Sequence, residues 1–101
     1  MNIVSVTKVL ANQTRLEILS RLKEPAQYFP KQPAVGHFDF GVCGQSIQEE
    51  FDLSQSTISS YLSDLQKAGL ITPTRIGKWT YFKRNEEAIK EYLAAVSAVV
   101  G

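Results

Sequence analysis

Asp52-Leu53-Ser54-Gln55-Ser56-Thr57-Ile58-Ser59-Ser60-Tyr61-Leu62-Ser63-Asp64-Leu65-Gln66-Lys67-Ala68-Gly69 is the stretch that decides the fold. Ile58, Leu62 and Leu65 recur at helical spacing, so Gln55 to Ala68 is predicted to form an amphipathic helix. Ser54 suits its N-terminus, because a serine oxygen accepts from a free amide of the first turn. Gly69 suits its end, because glycine adopts the left-handed conformation at little cost. Just upstream, Val42 to Phe51 carries Cys43, Ile47 and Phe51 at intervals of four, which predicts a shorter helix with those side chains inward. Asp52-Leu53 is the turn between them. Two helices about so short a turn are the outline of a helix-turn-helix.

Toward the C-terminus, Leu70-Ile71 leads into Arg75-Ile76, then Gly77-Lys78, then Trp79-Thr80-Tyr81-Phe82. Glycine at the first central position of a two-residue loop suits a type II′ turn, and the aromatic and β-branched residues beyond it favour a strand. A helix from Glu86 to Val100 follows, with Ile89, Tyr92, Leu93, Val96, Val99 and Val100 on one side. Toward the N-terminus, Ile3 to Leu10 forms a short stripe of Ile3, Val6 and Leu10. Asn12 caps a second helix that runs through Leu16, Leu19 and Leu22 until Pro25 stops it. Glu24 to Gly36 reads as a loop, with Pro25, Pro30 and Pro33. His37-Phe38-Asp39-Phe40 alternates polar and aromatic, which predicts a short strand. The fold class expected is mainly α with a small β-hairpin: a winged helix-turn-helix of five helices, with residues 1–101 as a single domain.

Function is read from the outer face of the Gln55 helix. With its apolar residues turned inward, Ser56, Ser59, Ser60, Ser63 and Lys67 face outward, and Ser54 and Thr57 stand at its start. Serine weakens a helix by some tenths of a kcal/mol relative to alanine, and a merely solvated face favours Glu, Lys and Gln. Small hydroxyl residues let a helix approach a groove floor and bond phosphates or base edges, while Gln55 can present its amide to an adenine edge. On the helix alone, a serine-faced surface with no special role stays open. The hairpin adds weight, since Arg75 and Lys78 flank Gly77 at a protruding tip that can reach phosphates or the minor groove. The candidate DNA-binding residues are therefore Ser54, Gln55, Ser56, Thr57, Ser59, Ser60, Ser63, Lys67, Arg75, Gly77 and Lys78, with Lys83 a further candidate phosphate contact.

The net charge of +1 hides a segregated distribution. From Ser54 to Arg84 the bases Lys67, Arg75, Lys78, Lys83 and Arg84 face Asp64 alone, whereas Glu86, Glu87 and Glu91 follow against Lys90. The basic stretch lies where phosphate contact is needed. No paired-carboxylate, Cys/His or Ser/His/Asp arrangement points to an enzyme. Neither a signal-peptide pattern nor an apolar run near the roughly 20 residues of a membrane span is present, so a cytoplasmic location without membrane contact is expected.

Asp52-Leu53-Ser54-Gln55-Ser56-Thr57-Ile58-Ser59-Ser60-Tyr61-Leu62, with Ala68-Gly69-Leu70-Ile71 and Gly77-Lys78-Trp79-Thr80-Tyr81-Phe82, resembles the ArsR/SmtB repressors. Leu10-Ala11-Asn12-Gln13-Thr14-Arg15-Leu16-Glu17-Ile18-Leu19 is similar to that family's second helix. The resemblance covers most of the chain apart from the proline-rich loop. It implies a dimeric repressor of double-stranded DNA that leaves its operator when an effector binds. It also implies major-groove contacts at Gln55, Ser56, Ser59 and Ser60 and a wing tip at Arg75, Gly77 and Lys78.

The effector is where the resemblance weakens. Many members sense metals through cysteines at the start of the first helix of the motif. Here the run is Gly41-Val42-Cys43-Gly44-Gln45-Ser46-Ile47, with Cys43 at the first thiolate position and Gln45 at the second. The last helix carries no histidine for the family's other site. A soft-metal site wants about four N or S ligands, and only Cys43 and His37 are on offer, so no metal or other cofactor is expected. Cys43 reads as a core residue or as a redox- or electrophile-sensing thiol near a helix N-terminus; a small-molecule effector is the other option. Tyr28, Phe29, Phe38 and Phe40 in the loop Glu24 to Phe40 read as a ligand pocket, as a cover over a dimer, or, preferably, as rings packed on the core.

A homodimer is expected because the last helix carries more apolar surface than so small a core covers. The interface predicted joins the terminal helices through Ile3, Val6, Leu10, Ile89, Tyr92, Leu93, Val96 and Val100. That would set two recognition helices one turn of DNA apart. The competing class is a winged helix whose basic tip binds an acidic protein partner.

Overall fold

Four of the five helices begin at a residue whose side chain holds a free amide of the first turn. The structure, a computed structural model, describes residues 1–101. Asn2 opens α1 (Ile3–Leu10) by accepting from the Ser5 amide at 3.1 Å, and Asn12 opens α2 (Gln13–Arg21) by accepting from Arg15 at 2.9 Å. After a single 3-10 turn at Pro25–Gln27 and an irregular stretch, β1 (Val42–Cys43) leads into α3 (Gly44–Phe51). Ser54 opens α4 (Gln55–Lys67), its hydroxyl oxygen accepting from the Thr57 amide at 3.2 Å. Strands β2 (Ile71–Ile76) and β3 (Trp79–Arg84) form the hairpin, and Asn85 opens α5 (Glu86–Val100).

The sheet has the order β1-β3-β2, all antiparallel, with Ile76 opposite Trp79 across the turn and Val42 opposite Phe82. Ile18 and Leu19 of α2, Ile47 of α3, Ile58, Leu62 and Leu65 of α4, and Leu70 and Ile71 at the start of the hairpin meet in one core. This is the winged helix-turn-helix that the sequence predicts.

Three local expectations are corrected. His37–Phe40 is not a strand: those residues form turns, closed by the Gly41 amide on the Phe38 carbonyl at 2.9 Å, and pairing with β3 begins only at Val42. The cause is Gly41, whose φ of +93° swings the chain alongside β3. In consequence α3 starts at Gly44 rather than Val42, and Cys43 is its N-cap on extended backbone, buried beside the helix rather than within it. In α2 the inward residues are Ile18, Leu19 and Leu22, while Leu16 is 48% exposed. The face is centred between Ile18 and Leu22, which leaves Leu16 well outside it.

The long connection packs down. Phe29 is buried, Phe38 lies against the core, and the Phe40 ring centre is 6.3 Å from that of Tyr81. Tyr28 stays exposed beneath the Arg21 guanidinium at 5.0 Å. The connection is pinned at two polar points. Buried Gln32 accepts from the Cys43 amide at 2.6 Å and donates to the Pro30 carbonyl at 2.8 Å. The fully buried Tyr81 of β3 donates its hydroxyl to the Pro33 carbonyl. Burial pushes the Tyr81 phenol above its ordinary value, and the neighbouring Cys43 adds to that, so it stays a neutral donor. Tyr81→Phe is therefore expected to cost about 1–2 kcal/mol, the loss of a donor from a part-buried carbonyl. Urea unfolding of the two proteins checks it, and equal midpoints would count against the pin.

Candidate nucleic-acid interface

The turn between α3 and α4 aims the recognition surface. Asp52 ends α3 in the left-handed region at φ +50°, reversing the chain so that α4 leaves at an angle. With Ile58, Leu62 and Leu65 in the core, Gln55, Ser56, Ser59, Ser60 and Lys67 are exposed, and Thr57 and Ser63 are half-buried. Ser54 and Thr57 are occupied locally: the Ser54 hydroxyl donates to Thr57 Oγ1 at 2.9 Å while its oxygen takes the Thr57 amide. Their first task is capping.

The wing tip is built by its turn. Gly77 has φ +59° and Lys78 does not share that conformation, as a type II′ loop between paired Ile76 and Trp79 requires. Arg75 folds over the tip, its Nε donating to the Gly77 carbonyl at 2.8 Å and its guanidinium to Thr80 Oγ1 at 3.3 Å. The Lys78 ammonium sits 5.2 Å from the centre of the Trp79 ring. Both cations are thus held at the tip instead of ranging freely.

Between α4 and the wing lies an open cleft of about 760 Å³. Gln55, Ser59, Ser63 and Gln66 line it from α4, Arg75, Lys78, Trp79 and Thr80 from the wing, and Gln45, Gln48 and Glu49 from α3. The structure so brings Gln55, Ser59 and Ser63 to the wing cations, while Ser56 and Ser60 project beside the cleft. Gln45, Gln48, Glu49, Gln66, Trp79 and Thr80 are site residues that the sequence reading missed. A signal existed: Gln45 and Glu49 stand one turn apart on α3, away from buried Ile47.

Charge is sorted further in space. Asp64, the one acid between Ser54 and Arg84, pairs with Arg15 at 3.4 Å. Arg15 also donates to the Val9 carbonyl at 2.7 Å and covers the Tyr61 ring, tying α1 and α2 to α4. Lys83 donates to the Asp39 carbonyl at 3.2 Å, five pairs along the ladder from the tip, so it is no partner of the wing cations. Arg84 turns to Glu86 at 2.9 Å, a hydrogen bond that holds the Glu86 carboxyl below its ordinary value. Lys67, Arg75 and Lys78 remain on the recognition side.

The terminal helices are partly used within the protomer. Val6 and Ile89 belong to the core, and Thr7 Oγ1 meets the Tyr92 hydroxyl at 2.7 Å between α1 and α5. Val6 and Ile89 are corrected from interface to core, because their side chains are already buried in the protomer's own hydrophobic cluster. Ile3, Leu10, Tyr92 and Val96 are half-buried, whereas Leu93 is 59% and Val100 80% exposed, with Val4 and Val99 also bare. Cys43 is 1% exposed, its sulfur 3.2 Å from the Ser46 hydroxyl, so the access that a sensing thiol needs requires local opening. No three His, Cys, Asp or Glu side chains converge as a metal site.

A helix-turn-helix whose second helix and basic hairpin share one polar cleft defines a winged helix DNA-binding regulator. A family model described as bacterial regulatory protein, arsR family, matches residues 43–72. The chain is 46% identical over 89 residues to the uncharacterized HTH-type transcriptional regulator YbzH of Bacillus subtilis, covering 88% of this chain and 89% of that protein. It is 31% identical over 87 residues to the arsenical resistance operon repressor of the same organism, covering 86% of this chain and 70% of the relative. The chain belongs to the ArsR family of bacterial transcriptional regulators, whose members bind DNA and are not enzymes. Among solved structures, a homodimeric winged helix-turn-helix DNA-binding domain from Mycobacterium bovis superposes with a TM-score of 0.65 at 26% identity, covering 95% of this chain and 77% of that one. An ArsR-like transcriptional regulator from Rhodococcus shares the fold, with a TM-score of 0.70 at 19% identity, covering 96% and 77%. No helix is long and apolar enough to cross a membrane.

Proposed function

We propose that this protein is a cytoplasmic repressor that binds an inverted-repeat operator in double-stranded DNA as a homodimer. The observation that carries the reading is the shared cleft, lined by Gln55, Ser59 and Ser63 of α4 together with Arg75 and Lys78 of the wing. In this reading Gln55 and the hydroxyl face, with Ser56 and Ser60, read base edges in the major groove, while Lys67, Arg75 and Lys78 hold phosphates. The bare apolar residues Leu93 and Val100 of α5, together with Val4 of α1, support pairing through the terminal helices. A homodimeric relative of the same fold supports it too.

Selection of bound sequences from random duplex DNA tests the proposal, with an enriched palindrome expected and no enrichment overturning it. Arg75→Ala and Lys78→Ala are each expected to weaken binding to all sequences and to flatten the salt dependence by about one phosphate contact. Gln55→Ala is expected instead to relax preference at one base pair per half-site, worth about 1–3 kcal/mol of discrimination. Fluorescence anisotropy titrations at several salt concentrations distinguish the two behaviours. An unchanged salt slope in both wing variants would remove the wing from the interface.

A further inference from the structure

Glu49 is the one acidic residue lining the cleft between α4 and the wing. It is exposed and makes no ion pair, whereas its neighbour Glu50 is held by Arg21 at 2.6 Å. One carboxylate oxygen accepts from the Gln45 side-chain amide, one helical turn earlier, at 3.1 Å. That bond orients the group and leaves its other oxygen without a protein partner. A negative charge is out of place on a surface meant for a polyanion, because it repels the phosphates of every duplex alike. It gains a compensating contact only where a base presents an amino group, and in the major groove carboxylates suit the cytosine N4 amine.

We propose that Glu49, held by Gln45, is a specificity-determining residue that lowers affinity for DNA in general and is satisfied by a cytosine amino group in the operator. The inference rests on the DNA-binding reading above and adds a residue on α3 to it. A carboxylate of this kind acts by discrimination: it leaves the correct site bound while weakening the many wrong ones.

Wild type, Glu49→Gln and Glu50→Gln are titrated with a generic duplex and with the operator recovered by selection. Glutamine keeps the size of Glu49 and its bond to Gln45, and the side chain is exposed, so folding is not at stake. Glu49→Gln is expected to bind the generic duplex about 3- to 10-fold tighter at low salt, with a smaller gain on the operator. The operator-to-generic ratio therefore falls, and sequences reselected with the variant lose a cytosine from each half-site. Glu50→Gln is expected to match wild type, because its carboxylate faces Arg21. If wild type binds DNA but Glu49→Gln leaves generic affinity and reselected sequences unchanged, the role of Glu49 is overturned and the repressor reading survives. If wild type binds no duplex even at low salt, both fall.

Discussion

Gly41→Ala is expected to lower the melting temperature by on the order of 15 °C. Two costs combine there. The backbone sits at φ +93°, where an L side chain is strained by about 1–2 kcal/mol. A Cβ would also lie 2.0 Å from the Phe82 carbonyl oxygen and 2.8 Å from the Lys83 amide, atoms of the β3 backbone that cannot step aside singly. Relief requires β1 to leave β3, which pulls away Cys43, the residue that opens α3, and frees Gln32 from its amide partner. A total of about 3 kcal/mol or more is a large part of the 5–15 kcal/mol that holds a domain together. Gly69 supplies the control: it has φ +80°, yet nothing lies within 4 Å of a Cβ built there. Gly69→Ala should cost only the backbone strain. Melting followed by circular dichroism at one protomer concentration measures both, and equal losses would show that the approach to Phe82 is not the cause.

For the homodimer proposed above, Leu93→Glu is expected to give a monomer and to weaken operator binding by a factor of about 10² or more. Leu93 is 59% exposed in the protomer, so a glutamate there meets water and leaves the protomer's packing intact. In a two-fold interface the same substitution arrives twice on one axis. Two carboxylates would then be buried without partners, which costs several kcal/mol. Operator affinity falls because two linked half-sites bind far more tightly than two independent ones, typically by factors of about 10²–10⁴. Light scattering after size exclusion at micromolar protein reads the mass, and far-ultraviolet circular dichroism confirms the helices. Glu87→Gln, on an exposed acidic position of the same helix, should remain dimeric. A monomeric wild type would remove the dimer itself, whereas a dimeric Leu93→Glu protein would move the interface elsewhere.

The parts of this protein that are legible residue by residue are those decided within a few positions of the chain. Asn12 and Ser54 cap α2 and α4 as read, because a cap bonds an amide three residues on. Gly77 makes the wing turn because a two-residue hairpin asks for that backbone at that place. Ile58, Leu62 and Leu65 point inward because helical periodicity leaves them no other face. The serine face follows from the same geometry.

Other features depended on what lies opposite. The strand expected at His37–Phe40 falls at Val42–Cys43, since pairing waits for the chain to reach β3 beyond Gly41. Val6 and Ile89 read like the rest of the terminal stripes, yet the protomer consumes them, and only the meeting of α1 and α5 separates them from Leu93 and Val100. Lys83, Arg84 and Asp64 read only as charges along the chain, but each has a partner far off in sequence: the Asp39 carbonyl for Lys83, the Leu19 carbonyl for Arg84, which also binds nearby Glu86, and Arg15 for Asp64. Glu49 became visible in the same way, when α3 and the wing closed on one cleft. Local signals set the course of the longer helices, the caps at Asn12 and Ser54, the wing turn and the hydroxyl-lined helix, because backbone preferences and side-chain period act within a few residues. Which apolar and charged groups stay free to meet DNA or a second copy was decided only by tertiary packing, because burial and ion pairing are properties of neighbours that the chain brings from far away.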